Sequence, residues 1–176
     1  MRGGLTKRIV QDEYGMMSCP DCGSILSDVR SRKHHGAFFA FLHWCTHNWP
    51  ETVEFQPDNR EHLRAWALVK AKHRAPARVY RFKNERERQM VMPVIMRDLE
   101  DDRREGRYAW IVPYTGGGGG VVKLRPASLN WEKLSQRDFN RVSADVFNVL
   151  RDYAGLDFEA WKAMRTASDL DQRRAA

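Results

Sequence analysis

The stretch that most constrains the fold runs from Arg30 to Trp49, R-S-R-K-H-H-G-A-F-F-A-F-L-H-W-C-T-H-N-W, and is closed by Pro50. Phe38, Phe41, Leu42, Cys45 and Trp49 recur at i, i+3, i+4, i+7 and i+11, the spacing of one face of an α-helix. Phe39 and Trp44 fall outside that stripe, so the apolar surface is broad. A helix of this kind has to be covered by other elements, which predicts a central buried helix. Ser31 is placed to cap its start, because a hydroxyl accepts a free backbone N–H, and Pro50 to stop it. The first turn is polar, with Arg32, Lys33, His34 and His35.

The rest of the chain supplies the covering elements. T-K-R-I-V (6–10) suggests a short strand, Cys19–Gly23 a knuckle turn, and S-I-L-S-D-V-R a second strand through Ile25, Leu26 and Val29. Asp58 or Asn59 is placed to cap a second helix from about Arg60 to His73, with Leu63, Trp66, Ala67 and Val69 on its apolar arc. Lys70 intrudes there, its stem suited to lie on apolar surface with the ammonium in water. Ala75-Pro76 breaks that helix. A-R-V-Y-R-F then reads as a half-exposed strand, with Arg78, Tyr80 and Phe82 on one face and Val79, Arg81 and Lys83 on the other. Arginines on both faces suggest an edge strand. Asn84 opens a helix to about Glu105, in which Pro93 predicts a kink or a split. Y-A-W-I-V-P-Y and V-V-K-L-R-P, separated by T-G-G-G-G-G, read as a hairpin with a mobile tip. Ser135 caps a helix to about Tyr153 that uses Phe139, Val142, Val146, Val149 and Leu150, and Gly155 ends it. Asp157 caps a short last helix with Phe158 and Trp161.

The class expected is α+β: a central aromatic-rich helix and further helices packed on a small antiparallel sheet that includes the glycine-tipped hairpin. One domain spans 1–167, with 1–29 as a zinc-knuckle and strand region and 168–176 as a flexible tail. At 176 residues the chain is long enough to bury a core without disulfides. No apolar run approaches the roughly 20 residues of a spanning helix, and the chain reads as opening without a signal peptide. Three cysteines, two in C-P-D-C, fit a reducing cytoplasm better than secretion.

Charge is unevenly placed. Residues 60–88 hold 10 Lys/Arg against 3 Asp/Glu, whereas 1–59 hold 6 against 7 and 89–176 hold 14 against 13. The surplus of the whole chain therefore sits in one segment. Cations gathered in this way suit a polyanion, because each one placed on a phosphate releases condensed counterions. The competing reading is a solvated basic face. The candidate phosphate track is Arg60, Arg64, Lys70, Lys72, Arg74, Arg78, Arg81 and Lys83, extended by Arg32, Lys33, His34 and His35. Bases stack on exposed rings, and Tyr80 and Phe82, set among these arginines, are the candidates for stacking. Trp44 and Trp66 read as core.

Cys19-x2-Cys22 is followed by His43-x3-His47, an i, i+4 pair on the polar side of the central helix. Two thiolates on a turn and two imidazoles on one helical face match a Cys2His2 zinc site in ligand type and local spacing. Four protein ligands would make such a zinc structural. Cys45, His34 or His35 can take the place of either histidine, and the competing reading is a free-thiol turn beside ordinary imidazoles. Gly116–Gly120 lacks the Lys-Ser/Thr ending of a phosphate-binding loop. Asp98, Glu100, Asp101 and Asp102, beside Arg97, Arg103 and Arg104, read as a solvated helix face. No nucleophile–base pattern for hydrolysis is visible.

R-S-R-K-H-H-G-A-F-F-A-F-L, N-W-P-E and P-D-N-R-E-H-L-R-A-W-A-L-V-K-A resemble a family of phage and prophage proteins of unassigned function. L-R-P-A-S-L-N-W-E-K-L-S-Q-R-D-F-N resembles the strand-to-helix junction of the same family. More distantly, the basic Arg-Ser start leading into an aromatic helix is similar to the phage lambda NinB (Orf) recombination mediators. That resemblance implies single-stranded DNA binding, work beside a single-strand-binding protein, and a homodimer. The C-P-D-C knuckle and the glycine tract depart from both patterns. The expectation is thus a non-catalytic phage-type protein that binds single-stranded nucleic acid as a recombination or replication accessory. Two alternatives stand beside it: a phage factor that binds a host enzyme or defence protein, and a metal-dependent nuclease using the Cys/His cluster.

Overall fold

The computed structural model describes residues 10–11, 17–18, 32–116, 119–129 and 134–175, with side chains between 34 and 168 within those spans. In chain order the elements are β1 (Val10–Gln11), β2 (Met17–Ser18), α1 (Arg32–His47), α2 (Arg60–Lys70) and β3 (Arg78–Arg81). They continue with α3 (Glu85–Arg104), β4 (Trp110–Pro113), β5 (Gly120–Leu124), α4 (Gln136–Ala154) and α5 (Phe158–Ala175). β1 and β2 pair antiparallel with Val10 opposite Ser18. The second larger sheet is antiparallel in the order β3-β5-β4. The α+β class follows from these elements. No helix among the described residues is long and apolar enough to cross a membrane.

α1 is the centre of the core. Its stripe of Phe38, Phe41, Leu42 and Cys45 is fully buried, against Leu63, Trp66 and Leu68 of α2, Phe139, Val146 and Leu150 of α4, and Trp161 of α5. Rings meet edge to face, Phe38 on Phe139 at 5.4 Å and Phe41 on Phe147 at 5.2 Å. Each buried Phe stabilises by about 1.5–3 kcal/mol relative to exposure. α1 ends at His47, ahead of Pro50, because the residue before a proline is pushed out of the helical region.

α2 starts where Asn59 Oδ1 accepts the His62 N–H at 2.9 Å. It ends at Lys70, earlier than the expected His73. Lys72 takes a left-handed conformation with φ 65°, and Arg74 Nε donates to the Val69 carbonyl at 2.9 Å, so the chain has turned before Pro76. α3 begins at Asn84, whose side chain accepts the Glu87 N–H, and runs through Pro93 as one element instead of splitting there. Gln89, whose carbonyl loses its partner to Pro93, is exposed and can be solvated. Ser135 caps α4, and Gly155, at φ 68°, closes it in the left-handed region where a Cβ is costly. α5 is longer than the short helix expected and continues past Ser168 to Ala175, over residues where no Gly or Pro interrupts it. The knuckle at Cys19–Gly23, the strand expected through Ile25 to Val29, and Ser31 lie outside the described residues.

The sheet has two unlike faces. Residues opposite each other across antiparallel strands point to the same side. Arg78 pairs with Lys123 and Ile111 with Lys123, and Lys123 is buried against carboxylates of α3. That side, which also carries Tyr80, is therefore the one α3 covers. Trp110 pairs with Leu124, and Val112 and Val79 both pair with Val122, which places them on the other side. There Val79 is 44% and Val112 36% exposed. β3 is an edge strand, as its two-faced arginines suggested. A Cβ on Gly120 would stand 2.6 Å from the Tyr80 carbonyl, so glycine is what lets β3 approach β5 there.

Candidate nucleic-acid interface

From Lys70 to Lys83 the chain carries six Lys/Arg and no Asp/Glu. The end of α2, the turn at Lys72 and β3 display them in succession. The Lys70 ammonium lies over the Trp66 and Tyr153 rings, at 5.7 and 5.1 Å from their centroids. The Arg78 guanidinium covers Tyr80 at 5.4 Å. Arg81 covers Tyr114 at 5.1 Å and donates to its hydroxyl at 2.9 Å. Lys72, Arg74 and Lys83 are exposed. Among the described residues none of these six forms an ion pair with a carboxylate, whereas most other Lys and Arg side chains do. Lys70, Arg78 and Arg81 have neutral rings for neighbours and Arg74 a carbonyl, so no ion pair offsets their charge, while the Lys83 backbone N–H donates to the Glu87 carboxylate.

Other members of the expected track are placed differently. Arg60 and Arg64 both reach Glu61, at 3.5 and 2.7 Å, and are partly neutralised. His34 is buried, accepts a hydrogen bond from the Gln136 side-chain amide at 3.1 Å and packs on the Phe139 edge, so it is a core imidazole and not a phosphate contact. His35 is half-buried against Phe39 and Phe139. The side chains of Arg32 and Lys33 lie outside the described residues. Phe82 is 9% exposed and Tyr80 sits on the side facing α3, so the stacking candidates belong to the covered face. Phe82 is withdrawn from the site on that ground.

The rings that are available stand elsewhere. A groove of about 490 Å³ opens between α2, the segment at Phe55, β4 and the last turn of α4. Phe55, Trp66, Trp110 and Tyr153 line it, with Lys70 and Arg74 at its side and Glu54 as its one carboxylate. Phe55 stacks on Trp66 at 4.6 Å with planes 5° apart, and Tyr153, 52% exposed, meets Trp66 edge on. A second cavity of about 440 Å³, lined by Lys83, Arg88, Tyr114 and Gly120, lies at the other end of β3. The alternation of Trp110 and Val112 in β4 was a sequence signal for this face. Which face lies open, however, is set by α3, which alternation alone does not locate.

The metal candidates divide. His43 and His47 stand together on the exposed side of α1, with ring centroids 4.4 Å apart. His47 Nδ1 donates to the His43 carbonyl at 2.9 Å, which fixes the proton on Nδ1 and leaves Nε2 free to ligate. Cys19 and Cys22 lie outside the described residues, among which no group of three or more His, Cys, Asp or Glu could hold an ion. Cys45, an alternative ligand, is buried in the apolar core, and burial pushes its thiol up to about 12. That thiol is no ligand for a surface ion.

Asp102 also departs from expectation. It is 1% exposed instead of solvated, with Lys123 Nζ and Arg125 each at 2.7 Å and Arg107 at 3.0 Å. Lys123 also holds Asp98. Burial pushes the Asp102 carboxyl up, but the hydrogen bonds from Lys123, Arg125 and Arg107 outweigh it and hold the group at about 2. Comparison of the chain with protein-family models, with curated proteins and with solved structures finds no match.

Proposed function

We propose that this protein binds single-stranded nucleic acid without catalysis, as a phage-type recombination or replication accessory. The observation that supports the reading is the run of six cations from Lys70 to Lys83, none of which forms an ion pair among the described residues. Six cations with no ion pair in one run repel one another, and a polyanion relieves that repulsion. Phosphates on Lys70, Lys72, Arg74, Arg78, Arg81 and Lys83 would release counterions, so affinity should fall steeply with salt. With all six engaged the slope of log affinity against log salt approaches about −4, at roughly 0.7 per phosphate of a single strand. Fluorescence anisotropy of labelled single-stranded and duplex oligonucleotides at two salt concentrations tests this. Tighter binding of the single strand with a steep slope is the expected result; no binding, or none that responds to salt, overturns the proposal.

As part of the same proposal, His43 and His47 form half of a structural zinc site completed by Cys19 and Cys22. The free Nε2 of His47 supports it. Protein purified without added metal should carry zinc, and less than about half an equivalent removes the site.

A further inference from the structure

We propose that the open face of the three-stranded sheet, together with the aromatic groove at its Trp110 end, stacks the bases of a short run of unpaired nucleotides. The phosphates on either side of that run sit on Lys70 and Arg74 at one end and on Arg81 at the other. This rests on the single-strand reading above and adds where the bases go, which charge alone does not decide.

The strand register carries the argument. Trp110, Val112, Val122, Leu124, Val79 and Arg81 share the side turned away from α3. Leu124 is buried and Trp110 packs on the helical core, so the open part of this side is the stretch at Val79, Val112 and Arg81 together with the groove beside Trp110. An antiparallel sheet with one covered face ordinarily presents polar residues on the other. Here the middle is apolar, with Val79 and Val112 exposed, and each end carries rings and cations. At one end Tyr153 and Trp110 stand beside Lys70 and Arg74. At the other, Tyr114 is held by the Arg81 hydrogen bond, an interaction with a neutral hydroxyl that leaves the guanidinium charge intact. An apolar middle with cationic ends matches a ligand that is flat and apolar in its parts and anionic along its length. A duplex hides its base faces in the stack, so the ligand has to be single-stranded.

Length agrees with this. From Gly120, opposite Arg81, to Leu124, opposite Trp110, β5 advances about 14 Å at roughly 3.4 Å per residue. A sheet face of that order accommodates about two or three stacked bases. Glu54 is the single carboxylate lining the groove, so the charge seen by an entering phosphate stays positive.

The test compares an oligothymidylate with an abasic deoxyribose-phosphate strand of the same length, at one salt concentration, by anisotropy. The unaltered protein should bind the base-bearing strand at least about tenfold tighter. Tyr153→Ala and Tyr114→Ala should each shrink that gap by about fivefold or more, with binding of the abasic strand little changed. Tyr153→Phe, which keeps the ring, should leave the gap in place. Tyr153 is exposed, so its loss leaves the core packed, and circular dichroism checks the fold of each variant. Equal affinity for the two strands overturns base stacking while leaving the electrostatic single-strand reading standing. A gap that survives both alanine variants overturns the assignment to this face. Binding of neither strand overturns the single-strand reading as well.

Discussion

Two clusters of positive charge meet on the same sheet and are treated in opposite ways. On the side of α3, Lys123, Arg125 and Arg107 converge on the buried Asp102, and Lys123 also holds Asp98. Along β3 and the turn before it, Lys70, Arg78 and Arg81 lie against rings and Arg74 against a carbonyl, and among the described residues none of the six cations there forms an ion pair. The first cluster is internally satisfied, so it ties α3 to β5. The second exports its charge. The same residue types thus act as structure where they are paired and as a candidate ligand surface where they are not. Total basicity says nothing about which of the two a given arginine does.

The comparison breaks most visibly at Asp102. Asp102→Ala takes from the buried Lys123 one of its two carboxylates, leaving Asp98 alone, and should destabilise the fold by about 3 kcal/mol, read as a fall in Tm, without weakening nucleic-acid binding per folded molecule. Acid should reach the same cluster. Because Asp102 is held at about 2, below its ordinary 3.8, its contribution is fully present above pH about 4 and is lost as pH falls toward 2. Acid unfolding of the native protein should therefore show a component in that window that Asp102→Ala lacks. Gly120→Ala should cost about 1–3 kcal/mol, since its Cβ meets the Tyr80 backbone and not a movable side chain, and it should lower oligonucleotide affinity by shifting β3.

Replacing Arg78 and Arg81 together by Ala acts on the other cluster alone. Chemical denaturation should find stability within about 0.5 kcal/mol of the parent. The salt slope of binding should flatten by about 1.4, two phosphate contacts' worth. An unchanged slope would take β3 out of the interface. The smallest effect is expected at Ser143, whose buried hydroxyl has no hydrogen-bond partner among the described residues. Ser143→Ala should be neutral or stabilise by less than about 1 kcal/mol, leaving binding unchanged.

Much of the architecture was legible because it rests on local chemistry. The stripe of Phe38, Phe41, Leu42 and Cys45, the caps Asn59, Asn84 and Ser135, and the stop at Gly155 each declare themselves within a few residues. The edge position of β3 was also readable, from arginines on both its faces. What was not legible depends on elements far apart in sequence. Asp102 looks solvated beside its arginine neighbours until Lys123 arrives from 21 positions later along the chain. Phe82 looks suited to stacking until the fold buries it. His34 looks like part of a basic surface until Gln136 and Phe139 close over it. Each of these was misjudged for one reason: alternation and periodicity sort residues into faces but do not say which face a distant helix will occupy.

Among the described residues β3 pairs only with β5, and its outer edge has a consequence for how copies of this protein behave toward one another. An outer strand with unused peptide groups invites the matching strand of a second molecule, and long uncharged edges of this sort are where chains zip together. Here the inviting edge bears Arg78 and Arg81, so two such edges brought side by side repel. Mutual repulsion at low salt is thereby built into the same backbone stretch that is proposed to meet phosphate.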